Sequence, residues 1–175
     1  LAPRLVCLSW ADGHGGKGLF TADDGCAAFR KWIDDGHMLV GHNVAYDLAV
    51  ICQHDPSLIH LVFAALDVGQ IGDTMILELL RRIEHGQLHF DPKTGKRPGF
   101  SLAALAQNHL GKTLTGKSGA DTWRLRYHEL DGMPLAQWPD AARDYAITDA
   151  VTTLAVWKET RRTYTAEDLE AQCRA

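Results

Sequence analysis

Two side chains near the end of the chain have the types and spacing of a catalytic pair. Tyr145 and Asp149 are four residues apart, so a helix would place the phenol and the carboxylate one turn apart on the same face. A carboxylate in that position can bind a metal ion, and the phenol can orient a water or a phosphate oxygen. The alternative is that both side chains lie on a solvated helix face without a chemical role.

A second pair with the same spacing occurs far upstream. Residues 37–43 predict a short buried strand and residues 44–53 a helix, with His42, Asn43 and Asp47 at or near their junction. Ligands of open α/β sheets bind at the carboxyl ends of the strands, so these three residues are candidates for a site. The alternative is structural: Asn43 caps the helix, and Asp47 suits the positive end of its dipole.

Two such pairs suggest one shared acidic site. Phosphodiester hydrolysis by two metal ions needs several carboxylates that converge on ions about 4 Å apart. Oxygen ligands of this kind favour Mg²⁺ or Mn²⁺ over zinc. The four cysteines have no paired metal spacing and indicate reduced thiols in an intracellular protein: Cys7, Cys26, Cys52 and Cys173.

The elements that must position these residues alternate between strand and helix. Residues 5–10 and 19–20 predict a hairpin, and Thr21 or its neighbours cap a helix that Gly36 ends. Asp73 follows another short strand and is expected to cap the next helix, with a supporting role at the site as the alternative. That helix is predicted to bury Met75, Ile76, Leu79, Leu80 and Ile83.

The last two helices follow the same reasoning. Ser101 is expected to cap a helix that stops at Gly111. The final helix, which carries Tyr145 and Asp149, is predicted to bury an apolar stripe on its opposite side, formed by Ile147, Ala150, Val151, Leu154 and Trp157.

Composition limits the partners of the chain. A length of 175 residues suits one domain, and the formal net charge of −4 gives no overall basic character. Nucleic-acid binding would therefore need metal ions or a local basic surface. Candidates for the surface are the turn-rich segment 91–99 and four basic residues: Lys112, Lys117, Arg124 and Arg126. No signal peptide or membrane-length apolar run occurs, so no membrane partner is expected.

Four stretches resemble a known family in the right order. Residues 40–47 (Val-Gly-His-Asn-Val-Ala-Tyr-Asp) resemble the second motif of the 3′–5′ exonuclease domain of family A DNA polymerases. Residues 145–149 (Tyr-Ala-Ile-Thr-Asp) resemble the third motif of the tyrosine-bearing branch of the DnaQ-like, or DEDD, exonucleases. Residues 72–75 and 101–106 are similar to the intervening Asp-Thr strand and Ser-Leu helix of the family.

The resemblance implies an RNase H-like α/β fold with a mixed sheet flanked by helices, over residues 1–162, with 163–175 as a polar tail or linker. One motif is missing: the family's first, Asp-x-Glu on the first strand. Asp168-Leu169-Glu170 lies in the tail, where it is poorly placed to replace it. The chain lacks an initial Met and enters a strand almost at once, so we expect a fragment with this strand cut off.

The resemblance also implies an activity. It predicts a proofreading-type 3′–5′ exonuclease that acts on single-stranded DNA 3′ ends with two Mg²⁺ or Mn²⁺ ions, joined to a polymerase domain in a bacterial or phage-type, cytoplasmic setting. Asp47 and Asp149 would hold the ions, Tyr145 would orient the attacking water, and substrate contacts would come from His42, Asn43, Lys117 and Arg124. The alternatives are an RNase D-like exoribonuclease, or an inactive module that binds nucleic acid or supports a polymerase.

Overall fold

The computed structural model describes residues 2–88, 99–114 and 122–163. Strands and helices alternate through most of these ranges, which confirms the predicted α/β class. The strands are β1 (Cys7–Ala11), β2 (Lys17–Thr21), β3 (Leu39–Gly41) and β4 (Ile71–Asp73). The helices are α1 (Ala22–Asp34), α2 (Val44–His54), α3 (Ile59–Asp67), α4 (Thr74–Glu84), α5 (Leu102–Leu110), α6 (Trp123–Arg126) and α7 (Asp140–Thr163).

The strands pair in both senses, as a mixed sheet requires. β1 and β2 form an antiparallel hairpin in which Cys7 lies opposite Thr21. β3 and β4 are parallel, with Gly41 opposite Asp73. Within the described residues the two pairs are separate two-stranded sheets. Parallel pairing brings the carboxyl ends of β3 and β4 to one edge, and the junctions that follow them lie side by side.

Local signals at the helix ends act as predicted. The Thr21 hydroxyl accepts a hydrogen bond from the Asp24 amide at 3.3 Å and caps α1. The Ser101 hydroxyl caps α5 by accepting from Ala104 N at 3.2 Å. Gly111 ends α5 with a φ of 62°, a left-handed conformation that glycine adopts without a steric penalty. These ends fix the lengths of the two helices.

Helix α7 is central, and the apolar stripe predicted on it is only partly buried. It contacts both sheets as well as α4, α5 and α6, so little of its surface faces water. Its buried residues are small or medium in size: Ala142, Ala146, Thr152, Thr153, Val156 and Thr160. The residues of the predicted stripe are only partly buried: Ile147, Ala150, Val151, Leu154 and Trp157. Small side chains let α7 approach its neighbours closely, which the apolar pattern alone does not show.

Trp157 shows how closely α7 lies to the parallel sheet. A Cβ atom added to Gly72 of β4 would lie 2.5 Å from the Trp157 ring. Such a contact is impossible without movement, so glycine is required where the indole covers the strand. This packing holds β4, and the junction that follows it, against the helix that carries Tyr145 and Asp149.

The predicted buried face of α4 is also wrong in part. Ile76 and Ile83 are 46% and 53% exposed, whereas Glu78 is fully buried. The buried carboxylate accepts hydrogen bonds from Arg81 Nε at 2.9 Å, Arg82 Nε at 2.5 Å and His109 Nε2 at 2.9 Å. A charge can be buried when it is paired in this way, and the apolar residues of α4 are then displaced outward.

The main apolar core lies between α1, α2 and α3. Helix α3 was not predicted from the sequence, yet Val62 and Ala65 on it are nearly fully buried in this core. Two smaller clusters involve α7, through Val156 beside α5 and through Ala142 beside Trp138. None of the described helices combines the length and the hydrophobicity that a membrane span would need. The predicted tail 163–175 lies almost entirely outside the described residues.

Candidate active site

The β3–α2 junction has an unusual backbone. Asn43 lies at the N-terminal boundary of α2 with φ 59° and ψ 48°, in the left-handed region. Its side chain makes no capping hydrogen bond, so the structural role considered for it in the sequence is wrong. The Asn43 side chain is exposed. The amide is therefore available for a ligand instead of serving its own helix.

The cap of α2 comes from a residue thirty positions away. Asp73 Oδ2 accepts from Val44 N at 2.8 Å, and Oδ1 accepts from Asn43 N at 3.0 Å. The same carboxylate caps its own helix α4, since Oδ1 also accepts from Met75 N at 2.7 Å. The predicted capping role of Asp73 is confirmed, and the structure adds the link to α2.

His42, which follows β3, is held by Thr74, the residue after Asp73. Its Nδ1 lies 2.9 Å from Thr74 Oγ1, and that hydroxyl donates to the Gly41 carbonyl oxygen at 3.2 Å. Because the hydroxyl proton is directed to the carbonyl, the hydroxyl oxygen accepts from His42 Nδ1–H. In the neutral imidazole, Nε2 then carries the lone pair and is a hydrogen-bond acceptor.

Asp47 lies in the first turn of α2 and has a strongly perturbed carboxyl group. Burial among protein atoms, and then the negative charges of Asp73 and Asp149, raise the pKa of Asp47 to about 6. The side chain still has exposed surface, so it lies in crowded surroundings that are open to water. The carboxylates of Asp73, at the β4–α4 junction, and Asp149, on α7, therefore lie within electrostatic range of Asp47.

Tyr145 and Asp149 lie on the α7 face nearest this group. Both are half-buried, so they do not lie on a fully solvated face. Burial and then the Asp149 charge raise the pKa of Tyr145, while the Arg124 charge opposes the rise. The Tyr145 ring also contacts Tyr127, with ring centroids 6.3 Å apart. Tyr145 therefore stays a neutral phenol between a carboxylate and a guanidinium group.

The electrostatic effects connect four of the predicted site residues: Asp47, Tyr145, Asp149 and Arg124. His42 and Asn43 join them through hydrogen bonds to Thr74 and Asp73. Lys117 and most of segment 91–99 lie outside the described residues.

Arg126, which was another candidate for phosphate contact, has other partners. It donates to Glu129 from both Nε and Nη2 at 2.9 Å, and its guanidinium lies 4.6 Å from the Trp123 ring centroid. Arg124 makes no such pair with Glu129. The two neighbouring arginines therefore differ in the partners that they already have.

The sequence reasoning missed the roles of Thr74 and Tyr127 at this site. The Tyr127 hydroxyl donates to the Ala142 carbonyl oxygen at 2.7 Å, and its ring supports Tyr145. A signal for Thr74 was present, because a threonine after the end of a short strand can reach the neighbouring parallel strand. No comparable signal marks Tyr127, whose short helical turn is distant in sequence from α7.

The described residues do not form a complete metal site. No group of three or more His, Cys, Asp or Glu side chains among them is arranged to hold a metal ion. Asp47 and Asp149 can supply oxygen ligands, but a divalent ion such as Mg²⁺ or Mn²⁺ prefers about six. A cavity of about 440 Å³ lies elsewhere, lined by Asp23, Cys26, Ala27, Arg30, His54 and Asp55, none of which belongs to the candidate site.

Comparison with known proteins adds one family match. A model of the exonuclease domain of family A polymerases, described as 3′–5′ exonuclease, matches residues 21–163. The match spans α1 to the end of α7 and includes both candidate motifs. No curated protein and no solved structure shows a significant match to the chain.

Proposed function

The chain belongs to the 3′–5′ exonuclease family of family A polymerases, and from that premise we propose that it removes nucleotides from DNA 3′ ends in a proofreading-type reaction. Family membership supports a nuclease with an RNase H-like fold. The finer proposal depends on one observation above all. Asp47 and Asp149 lie on separate helices within electrostatic range of each other, and burial, followed by the negative charges of Asp73 and Asp149, raises the pKa of Asp47.

That acidic group is suited to cations. Among the described residues Asp47 has no ion-pair partner, and its neighbours Asp73 and Asp149 are also acidic. A divalent cation would relieve this repulsion, and Mg²⁺ or Mn²⁺ is the class that carboxylate oxygens favour. When bound, such ions activate water and stabilise the leaving oxygen.

The described residues supply too few oxygen ligands to hold two ions. The family's first motif, Asp-x-Glu, would add the further carboxylates that the resemblance implies. Asp168-Leu169-Glu170 lies outside the described residues.

The other residues have roles that follow from their chemistry. Tyr145 has a raised pKa and remains protonated, so we assign it to hydrogen bonding with the attacking water or a phosphate oxygen and not to proton abstraction. Arg124 places positive charge near Tyr145 and would contact a phosphate. Asn43 and His42 would contact the sugar or base of the terminal nucleotide, and Lys117 the phosphate backbone.

The proposal includes a setting for the activity. A substrate strand with a free 3′ end and a covalently linked polymerase domain would be the partners. Three cysteines with free thiols, Cys7, Cys26 and Cys52, support an intracellular, cytoplasmic location.

The test follows release of mononucleotides from single-stranded DNA labelled at its 5′ or 3′ end, with Mg²⁺, Mn²⁺ or EDTA. We expect early release of a labelled 3′ mononucleotide, stepwise shortening of the 5′-labelled strand, and no reaction in EDTA. To favour DNA cleavage over the RNase D-like alternative, an RNA strand of the same sequence should compete poorly.

Binding without release in any metal would favour the inactive module. The same assay on a chain preceded by an Asp-x-Glu strand tests whether the first motif completes the site. If cleavage by the given chain is as fast as by the extended form, the first motif is not needed and the proposed ligand set is wrong.

A further inference from the structure

One carboxylate joins the two strand-to-helix junctions of the parallel sheet. We propose that Asp73 is a positioning residue of the nuclease site, which holds Asn43 in the conformation that presents its side-chain amide to the terminal nucleotide of the substrate. This inference depends on the proposed function for the identity of the ligand. The geometry that supports it is independent of that function.

The hydrogen bonds around Asp73 serve two helices at once. The first amides of a helix lack partners within the helix, and a carboxylate at that end also interacts favourably with the helix dipole. Oδ1 accepts from Met75 N and Ile76 N of α4 at 2.7 and 3.4 Å. Val44 N of α2 donates to Oδ2 at 2.8 Å, and Asn43 N donates to Oδ1 at 3.0 Å.

The bonds to Asn43 and Val44 have a specific consequence. An asparagine at the start of a helix normally accepts from the backbone with its own side-chain oxygen. Because Asp73 supplies that acceptor, the Asn43 side chain makes no capping hydrogen bond and stays exposed. Its amide offers two donors and one acceptor, which suit a sugar hydroxyl, a phosphate oxygen or a base edge.

The backbone at Asn43 needs external support. Its φ of 59° is the single positive value at a non-glycine residue among the described residues. Such conformations are less stable for residues with a Cβ and persist where surrounding contacts hold them. The hydrogen bonds that Asn43 N and Val44 N donate to Asp73 hold the backbone on both sides of the Asn43 Cα atom, so Asp73 supports the left-handed conformation.

The adjacent residue makes a parallel link. Thr74 follows Asp73 and holds the His42 ring, as Asp73 holds Asn43. Two consecutive residues of one junction therefore orient two consecutive residues of the other. A residue that served only to cap α4 would need no contact with the β3–α2 junction.

The variant Asp73→Ser separates the two roles. Serine is as good an N-cap as aspartate, so α4 keeps its cap. Its single, shorter oxygen cannot also reach the amides of Asn43 and Val44. Ser101→Ala is the matched control, since it removes the cap of α5 at a helix that supplies no candidate site residue.

We expect Asp73→Ser to raise KM for a single-stranded DNA 3′ end about tenfold, with kcat changed less than threefold, as for loss of one or two hydrogen bonds to substrate. Asn43→Gly, which accepts the left-handed backbone but lacks the amide, should give the same KM. The double variant should be no worse than either single variant, because both changes remove one contact. Ser101→Ala should leave KM unchanged.

Amide hydrogen exchange tests the hydrogen bonds of Asp73 without an activity measurement. In Asp73→Ser the amides of Asn43 and Val44 should exchange at least tenfold faster, while those of Met75 and Ile76 change little. The inference would be overturned if KM of the double variant rose by the product of the two single effects. Unchanged amide exchange at Asn43 and Val44 in Asp73→Ser would also overturn it. An equal KM increase in Ser101→Ala would do the same.

A binding assay separates this inference from the proposed function. Fluorescence anisotropy with a 3′-terminal phosphorothioate oligonucleotide reads the Asn43 contact without cleavage. If the chain binds this probe but cleaves no DNA, the proposed function fails, and tenfold weaker binding by Asp73→Ser still supports the positioning role. If Asp73→Ser binds the probe as tightly as the unmodified chain, the positioning role is overturned.

Discussion

Glu78 and Asp47 are two carboxylates that the fold treats in opposite ways. Glu78 is fully buried and accepts hydrogen bonds from Arg81, Arg82 and His109. Burial alone would raise the pKa of Glu78, but these partners hold it far below its usual range. Burial also raises the pKa of Asp47, and the negative charges of Asp73 and Asp149 add to the rise, to about 6.

The difference separates a charge that its neighbours compensate from one that they do not. The environment of Glu78 compensates its charge, so the cluster ties α4 to α5 and needs no further partner. Among the described residues no cation compensates the charge of Asp47, and uncompensated charge of this kind is common at sites that bind a ligand. Within this molecule, the absence of compensation is a better sign of function than burial.

The largest expected effect is on catalysis. In a chain preceded by an Asp-x-Glu strand, Asp149→Ala or Asp47→Ala should reduce mononucleotide release by about a thousandfold or more in Mg²⁺, because each would remove a proposed metal ligand. Thermal stability should fall little, or rise, since like charges are separated. Asp34→Ala, which removes an exposed carboxylate of α1, is the control and should leave the rate unchanged. A similar rate loss in Asp34→Ala would show that Asp47 has no specific role in cleavage.

The counterpart at Glu78 is expected to affect stability. Glu78→Ala leaves the buried Arg82 without its carboxylate, which should lower the free energy of unfolding by about 3–5 kcal/mol in a urea titration. Glu159→Ala, which breaks an exposed pair with Arg162, should change it little. The cleavage rate of the folded Glu78 variant should be close to that of the parent, and a rate loss as large as that of Asp149→Ala would contradict the comparison.

The pH dependence of stability should have opposite signs at the two groups. The pKa of Asp47 rises from 3.8 to about 6 on folding, so between these values the folded chain binds more protons there. Stability from this group therefore falls as pH rises across that window. Glu78 contributes stability above its ordinary pKa of 4.5 that is lost as pH falls below it.

Urea titrations at several pH values, without divalent ions, can separate the two contributions. Asp47→Asn should remove the decline between pH 4 and 6, and Glu78→Gln should reduce the acid sensitivity below that window. Because Asp47 is partly exposed, its effect should be the smaller of the two. A stability that rises with pH between 4 and 6 in the parent, and not in Asp47→Asn, would reverse the assigned sign.

A smaller effect is expected at Tyr145. Tyr145→Phe keeps the ring contact with Tyr127 and removes one hydroxyl, so the cleavage rate should fall about tenfold. The affinity for a single strand should be nearly unchanged. Tyr127→Phe, which removes a hydroxyl bonded to the Ala142 carbonyl oxygen, is the matched control for loss of a phenol. An equal rate loss in the two variants would assign the effect to packing.

The smallest expected effect concerns two neighbouring arginines. Arg124 acts on Tyr145 electrostatically, whereas Arg126 is paired with Glu129. Arg124→Ala should reduce the slope of log affinity against log salt by about 0.7 for single-stranded DNA, the value for one phosphate contact. Arg126→Ala should leave the slope unchanged. If both variants behave alike, Arg124 has no specific phosphate contact.

Much of the fold could be predicted because its signals are local. Thr21, Ser101 and Gly111 have the ordinary residue types of helix ends, and each acts as predicted. The motifs around Asp47 and Tyr145–Asp149 belong to the family that the match over 21–163 shows. Their spacing of four residues was visible because a helix repeats on that scale. Their roles in catalysis remain predictions.

The rest depended on contacts between distant segments. Burial of Glu78 requires His109 from another helix, and hydrophobicity alone therefore assigned the wrong face of α4. Capping of α2 by Asn43 was left open as the alternative because nothing near it in sequence shows that Asp73 is the cap. The buried face of α7 was missed because alanine and threonine give a weak apolar signal when the neighbours approach closely.

The packing of α7 across both sheets also determines when, during synthesis, the candidate site can assemble. Asp47 emerges early during synthesis, but Asp149 emerges about a hundred residues later, at roughly 5–20 residues per second. The acidic group cannot form until α7 has docked against strands made much earlier. A nascent or prematurely terminated polypeptide would hold Asp47 and Asn43 without Tyr145 and Asp149. Under the proposed function, cleavage would therefore require synthesis and docking of α7.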